Sequence, residues 1–332
     1  MSSSTSSSSE IRFLLWIAII LGLSSVIAKA DIWKGTDERH RGHLAVAKKF
    51  GANADYLLVG DSKTGPFSYD GLSPFLSRKG LVFSSDSVTP VYHFYTFRRA
   101  RSLYPEFKPK VVFISIGANN FNENGLHCRR DFALENLLSW EDVRDLTLPT
   151  GQTLEFFEVM LGHVLPIYTR RLQLTHFDLT LHPSPTGDIA LETLAWNESR
   201  HQARLDRHEP RDRFLDQNYL DIYRRSVLNQ YKHSTTVELA LSKMIEDIRS
   251  YGGVPILVML PLTQEMRDLE KELIGDKFKS SLNAFAQREK VELMDFQAED
   301  HYEFNDVNHL SPKGAFAFGK DNLEPILGRM LR

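Results

Sequence analysis

Cysteine is nearly absent. Cys128 is the only one in 332 residues, which excludes an intramolecular disulfide and any zinc site built on cysteines. Its neighbours, His127 before it and Arg129-Arg130 after it, could lower a thiol pKa, but no motif surrounds it and a structural role is the simpler reading. A basic excess is also missing: Lys and Arg number 40 against 43 Asp and Glu, for a net charge of −3. With no basic stripe to track a phosphate backbone, nucleic acid is not an expected partner. Internal repeats are absent. Two common phosphate and acyl motifs fail as well. The elbow Gly-x-Ser-x-Gly needs glycine two residues after Ser62, where Thr64 stands. The P-loop needs Lys-Ser/Thr after its second glycine, but Gly65 is followed by Pro66-Phe67.

The chain is 42% hydrophobic, enough for one large core or one core carrying an elaborate insertion. It opens on "MSSSTSSSSEIR", a polar low-complexity tail with no core-forming residues, which reads as disordered. The uncharged stretch Phe13–Ala28, "FLLWIAIILGLSSVIA", follows. It falls short of the roughly 20 residues that span a bilayer comfortably. It suits the apolar region of a signal peptide, and Ala28-Lys29-Ala30 has the small-x-small form of a cleavage site. A cleaved signal and an uncleaved anchor both fit, and either places residues 31–332 outside the cytoplasm. A buried core helix would show a polar face, and none precedes Ser24.

Four apolar runs read as strands buried on both faces: Tyr56–Val59, Val111–Ile116, Ile256–Leu260 and Val291–Phe296, with Leu81–Phe83 as a weaker fifth. Near-continuous rather than alternating apolarity points to a parallel sheet covered by helices. Helical patterns at Tyr92–Tyr104, Glu265–Arg288 and Pro312–Leu331 alternate with the strands, the last starting from a Ser311 cap and Pro312. The expectation is a three-layer α/β/α domain with a mostly parallel five-stranded sheet. About 140 residues separate the strands at 111–116 and 256–260, far more than one crossover needs. Leu134–Leu146, Leu154–Leu174 and Tyr219–Ser250 look helical there, joined by a polar, unpatterned stretch. Residues 1–30 are therefore read as tail plus signal or anchor. Residues 31–332 are read as one domain with a helical insertion over about 122–250, and that insertion either gates the sheet's active edge or merely packs against it.

In open parallel sheets, ligands sit beyond the carboxyl ends of the strands. Three short motifs fall there in order. "YLLVGDSKTG" delivers Ser62 just past the first strand; "SIGANNF" places Asn119 past the third; "DVNHLSPKGA" places Asp306 three residues before His309, after the last strand. A serine needs a base to take its proton and an acid to orient that base. A loop carrying Asp-x-x-His lets the carboxylate reach one imidazole nitrogen while the other faces a neighbour. An asparagine amide can donate to developing negative charge. The rival copies are Asp37-x-x-His40, ahead of the first strand and badly placed for the same task, and Gly51-Ala52-Asn53.

Gly60-Asp61-Ser62, Gly117-Ala118-Asn119 and Asp306-x-x-His309 resemble the Ser, Asn and Asp/His blocks of the SGNH (GDSL) hydrolase superfamily, over roughly 54–121 and 252–332. The resemblance implies a flavodoxin-like sheet. It implies Ser62 as nucleophile, His309 as base and Asp306 as its orienting acid, with Asn119 and the backbone N–H of Ser62 as oxyanion donors. The family usually places an oxyanion glycine after its second strand. Here "VFSSDSVTP" has none, and Asp86 or Ser87 takes that place. No metal or cofactor is implied. An N-terminal anchor joined to this fold is similar to bacterial envelope members, which D-alanylate teichoic acid or O-acetylate polysaccharides beside a membrane-bound acyltransferase. By that likeness the partners are an acyl donor, a carbohydrate acceptor, such an acyltransferase, and the membrane through the N-terminal segment.

Two other readings stand beside it. One is a catalytically inactive scaffold that binds carbohydrate or an envelope protein, suggested by Asp86. The other is phosphoryl transfer at Asp61, with Asp295 and Asp306 as metal ligands. Asn197-Glu198-Ser199 fits a glycosylation acceptor.

Overall fold

Short apolar runs rich in β-branched residues pair side by side because each can bury both faces only inside a covered parallel sheet. In the computed structural model, which describes residues 12, 15–22, 36–68, 72–73, 79–85, 88–125 and 213–332, five such runs form that sheet. They are β1 (Tyr56–Gly60), β3 (Gly80–Ser84), β4 (Val111–Ser115), β5 (Val254–Met259) and β6 (Glu292–Asp295), all parallel. A two-residue strand, β2 (Leu72–Ser73), adds antiparallel to β3 at one edge. The spatial order is β2-β3-β1-β4-β5-β6. Counting only the parallel strands in chain order, this is 2-1-3-4-5, the flavodoxin-like winding. Its chain direction switches between β1 and β4.

The chain divides into two compact units, Met1–Glu38 with Phe132–Pro183, and Arg39–Asp131 with Ser184–Arg332. In the first, residues 15–22 are helical, and Leu15, Trp16 and Ile20 are exposed, Trp16 by 63%. Among the described residues no helix is long and apolar enough to cross a membrane. The expected helices Leu134–Leu146 and Leu154–Leu174, Cys128, Asn197 and the Ala28–Ala30 site lie outside the described residues.

The second unit holds the sheet and its helices. Helix α1 (Thr36–Phe50), which belongs to this unit from Arg39 onward and which hydrophobic patterning did not single out, precedes β1 and contains the rival Asp37-x-x-His40. Helix α2 (Pro90–Leu103) starts where Thr89 caps Val91 N–H, with Pro90 at the first position. The segment expected as one helix over Tyr219–Ser250 is two. Helix α3 (Arg213–Ile222) runs into a π-helical turn (Tyr223–Val227), and α4 (Thr235–Ser250) starts afresh from a Ser234 cap. Likewise Glu265–Arg288 breaks into α5 (Gln264–Leu273) and α6 (Lys277–Glu289), because Gly275 adopts φ +61° and ends the first. At the C-terminus, α7 (Pro312–Phe318) passes through a π-helical segment (Gly319–Leu323) into α8 (Glu324–Met330).

Alternation along each strand splits the core into two layers. Tyr56, Leu58, Val82, Phe113, Ile256 and Val258 face α7 and α8, where Phe318 and Leu327 are fully buried. Leu57, Val59, Val112, Ile114 and Leu257 face the opposite side, where α2 and α4 cover β1 and β5. One expectation is corrected here. Val291–Phe296 is not buried on both faces: β6 is the outer strand, and Glu292 and Asp295 pair with Arg329 and Lys279 at 2.8 Å each. Charges on an edge strand discourage pairing with another chain.

Phe318 packs edge-on against Phe67, Phe296 and Tyr302 at 5.2–6.0 Å between centroids. Phe318→Ala should cost about 3–5 kcal/mol of unfolding free energy by urea titration. A loss below about 1 kcal/mol would mean that α7 is not seated on this core.

Candidate active site

The site is built at the switch point, where the carboxyl ends of β1 and β4 flank a crevice. β1 ends at Gly60, and residues Ser62–Phe67 turn at once into a 3₁₀ segment. Asp61 caps that segment, its Oδ1 accepting from Lys63 N–H at 3.0 Å. The Asp61 carbonyl accepts from Thr64 N–H (3.0 Å), Thr64 Oγ1 (2.8 Å) and Ser84 Oγ (3.0 Å). In a planar trans peptide the N–H points opposite the carbonyl. Three anchors on that carbonyl therefore aim the Ser62 N–H in the opposite direction, away from the anchoring groups.

Ser62 Oγ lies 2.8 Å from Nε2 of His309, 247 positions away in the chain. His309 Nδ1 lies 2.9 and 2.8 Å from the two oxygens of Asp306. A carboxylate facing Nδ1 favours the tautomer protonated there, and in that tautomer the Nε2 lone pair faces the serine hydroxyl. Burial raises the Asp306 pKa, but the hydrogen bond and charge of His309, with the backbone N–H groups of Asn308 and His309, outweigh it and hold the carboxyl below its ordinary value. The loop is pinned from three sides. Thr263, which also caps α5, donates to the Val307 carbonyl at 2.9 Å; Asn308 Nδ2 donates to the Tyr223 hydroxyl at 2.7 Å; and Asn305 N–H reaches the His309 carbonyl at 2.9 Å.

Asn119 is the second residue of a single helical turn (Ala118–Phe121) that follows β4 after Gly117. Its amide does not stand alone in the crevice. Nδ2 donates to Asp61 Oδ2 at 2.8 Å, and Oδ1 accepts from the Lys63 ammonium at 2.9 Å. Asn120 Nδ2 donates to the same Asp61 oxygen at 3.1 Å. Lys63 is only 5% exposed. A buried cation and a buried anion at 3.9 Å thus share one asparagine. The remaining proposed oxyanion position, Ser87, lies with Asp86 outside the described residues.

Residues that motif reading did not single out complete the surroundings. Tyr219 stands edge-on to the His309 ring at 5.9 Å and stacks on Tyr223 at 6.2 Å. Both come from the chain returning from the long excursion after β4. Their four-residue spacing, one face of a helix, was the available signal. Burial above all, then the charges of Asp61, Glu270 and Asp306, pushes the Tyr223 phenol well above its ordinary pKa, so it stays neutral. The metal reading of Asp61, Asp295 and Asp306 finds no cluster. Asp61 is bound to the two asparagines, Asp306 to His309 and Asp295 to Lys279, and among the described residues no three His, Cys, Asp or Glu side chains gather to hold an ion.

Behind the Gly60–Asp61 turn, His93 of α2 is 2% exposed, and neither ring nitrogen has a hydrogen-bond partner of normal geometry. Burial lowers its pKa to about 4, with Asp61 and the Gly60 backbone pulling weakly upward. The folded protein thus carries it neutral, whereas the unfolded chain binds a proton below about 6.5. Stability is whole above that value and falls as pH drops toward 4, by about 3 kcal/mol for this group. The urea midpoint should fall more steeply between pH 7 and 4.5 in the wild type than in His93→Gln. Parallel slopes would remove His93 from the acid response.

Compared with known proteins, the chain matches no family model, and no curated protein matches it.

Proposed function

We propose that this protein carries out serine-dependent acyl-ester chemistry of the SGNH type outside the cytoplasm, as an esterase or O-acyltransferase. The observation that supports it most is the continuous chain from Ser62 Oγ through His309 to Asp306, every link at 2.8–2.9 Å. His309 Nε2 takes the hydroxyl proton as Ser62 Oγ attacks an ester carbonyl, and Asp306 stabilises the imidazolium that forms. The Ser62 N–H donates to the tetrahedral oxyanion. Asn119 is the side-chain donor. Collapse expels the alcohol with the proton from His309. The acyl-serine then passes its acyl group to water, or to a carbohydrate hydroxyl that gives His309 its proton.

Transfer to an envelope polysaccharide is the favoured outcome. It draws on the apolar stretch Phe13–Ala28 and its exposed Leu15, Trp16 and Ile20, which suit a membrane-proximal protein working with a membrane-bound acyltransferase. The second reading, a non-catalytic scaffold for carbohydrate or an envelope protein, is favoured by Asp86 standing where the family carries an oxyanion glycine.

A fluorophosphonate probe should label the wild-type protein at Ser62 and leave Ser62→Ala unlabelled. Failure to label the wild type favours the scaffold, and labelling that persists in Ser62→Ala assigns the reactivity elsewhere. With an activated acetyl ester, adding an oligosaccharide acceptor should reduce free acetate as acetylated sugar accumulates. Equal acetate release with and without the acceptor would leave hydrolysis as the reaction.

A further inference from the structure

The buried ammonium of Lys63 has no part in the proton path from Ser62 to Asp306, yet it lies in the same crevice. It donates to Asn119 Oδ1 at 2.9 Å and lies 3.9 Å from Asp61 Oδ2. The space is closely fitted. A Cβ at Gly117 would come within 2.6 Å of the Lys63 nitrogen and 2.7 Å of Asn119 Oδ1, so any larger residue there would displace the contact. The asparagine amide is held between opposite charges, its oxygen on the cation and its nitrogen on the anion. Turning it over would set NH₂ against the ammonium and the carbonyl against the carboxylate, two repulsive contacts in place of two charge-assisted bonds. Neither neighbour can do this alone. Asp61 could accept from Asn119 in several rotamers, and it already binds Lys63 N–H and Asn120 Nδ2. A cation on the carbonyl also polarises the amide and strengthens both of its N–H donors.

We propose that Lys63 is a positioning residue that locks the Asn119 amide with its N–H groups toward Asp61 and its carbonyl turned away. This rests on the acyl-ester reading for its consequence, the presentation of Asn119 as an oxyanion donor, but not for the lock itself. Lys63 does not touch the reacting atoms; it acts through Asn119.

Two measurements test this on the full chain. In the first, the Asn119 side-chain NH₂ pair is identified in a ¹⁵N–¹H spectrum of asparagine-labelled protein by its loss in Asn119→Ala. Its exchange with solvent should be slow in the wild type and about tenfold faster in Lys63→Met. Unchanged exchange overturns the lock whether or not the protein has activity. If Lys63→Met does not fold, Lys63→Gln, which keeps a donor without the charge, replaces it. There a rise of about threefold is expected, and none is the overturning result. In the second, kcat/KM for 4-nitrophenyl acetate should fall about tenfold or more in Lys63→Met and by less than about twofold when the same change is made in Asn119→Ala. Equal losses in both backgrounds would make Lys63 a support of the fold rather than of the amide. If the wild type shows neither turnover nor fluorophosphonate labelling, the acyl-ester reading fails, and amide exchange alone decides for or against the lock.

Discussion

A single buried carboxylate fixes the geometry of the crevice. Asp61 is 3% exposed, and a charge in that position must be met by donors or it would destabilise the fold by several kcal/mol. The donors are Lys63 N–H on one oxygen, and Asn119 and Asn120 Nδ2 on the other. They come from the turn after β1 and the turn after β4, so satisfying one charge ties the two central strand ends together. The same residue's carbonyl carries Thr64 and Ser84, which adds the end of β3. Ser62 is then the next residue after a point held by three elements, and its backbone has no latitude. This is the physical content of Gly60-Asp61-Ser62. Glycine lets β1 approach Ser115 and Thr64, aspartate fastens the turn, and serine is what the turn presents.

The winding of the sheet supplies the rest. Because β1 is central and β3 and β4 flank it, the loops after β1 and β4 leave in different directions and open a crevice. His309 reaches that crevice from the opposite edge. It arrives on a loop that closes on itself through the Phe304–Leu310 bridge and is pinned by Thr263 beyond β5 and by Tyr223. A contact between groups 247 residues apart carries a large loop-closure entropy if made alone. Here the parallel ladder makes it, and the Ser62–His309 approach follows from strand order rather than from its own strength.

Much of this was legible in the chain because parallel strands buried on both faces announce themselves as unbroken apolar runs. A motif directly after such a run lies on the functional rim by construction. What escaped has equally physical causes. The edge strand β6 borrows apolarity from Leu293 and Met294 while Glu292 and Asp295 face out, a two-sided pattern that a run-based reading misses. The single helix expected over Glu265–Arg288 hid a break that only the positive φ of Gly275 reveals. Tyr219 and Tyr223 carried a helical spacing but nothing to say what they would meet, since their partners His309 and Asn308 lie some ninety residues on, in a different element. Lys63 was the least legible, because a lysine after a turn ordinarily points to water. Only the assembled strand ends show that the Asp61 carboxylate after β1 and the Asn119 carbonyl after β4 leave a buried niche for it.

The electrostatics of that niche bear on how an oxyanion could form there at all. Asp61 puts a negative charge one residue from Ser62, and Glu270 stands close enough to Lys63 for the two to feel each other, with burial raising the Glu270 pKa and Lys63 and Gln297 pulling it back. An unbalanced carboxylate would oppose any new negative charge at Ser62, and more so in a low-dielectric crevice than in water. The fold answers with one cation and two amides on the Asp61 side, and with a neutral rather than ionised phenol at Tyr223. The second carboxylate, Asp306, lies on the far side of His309, where a negative charge favours the imidazolium. Negative charge is therefore compensated on the side where an oxyanion would develop and left exposed to the imidazole where a proton would be held. That division of sign across a single serine suits the proposed acyl transfer. A purely structural Asp61–Lys63 pair would account for the compensation but not for a second carboxylate aimed at the imidazole from behind.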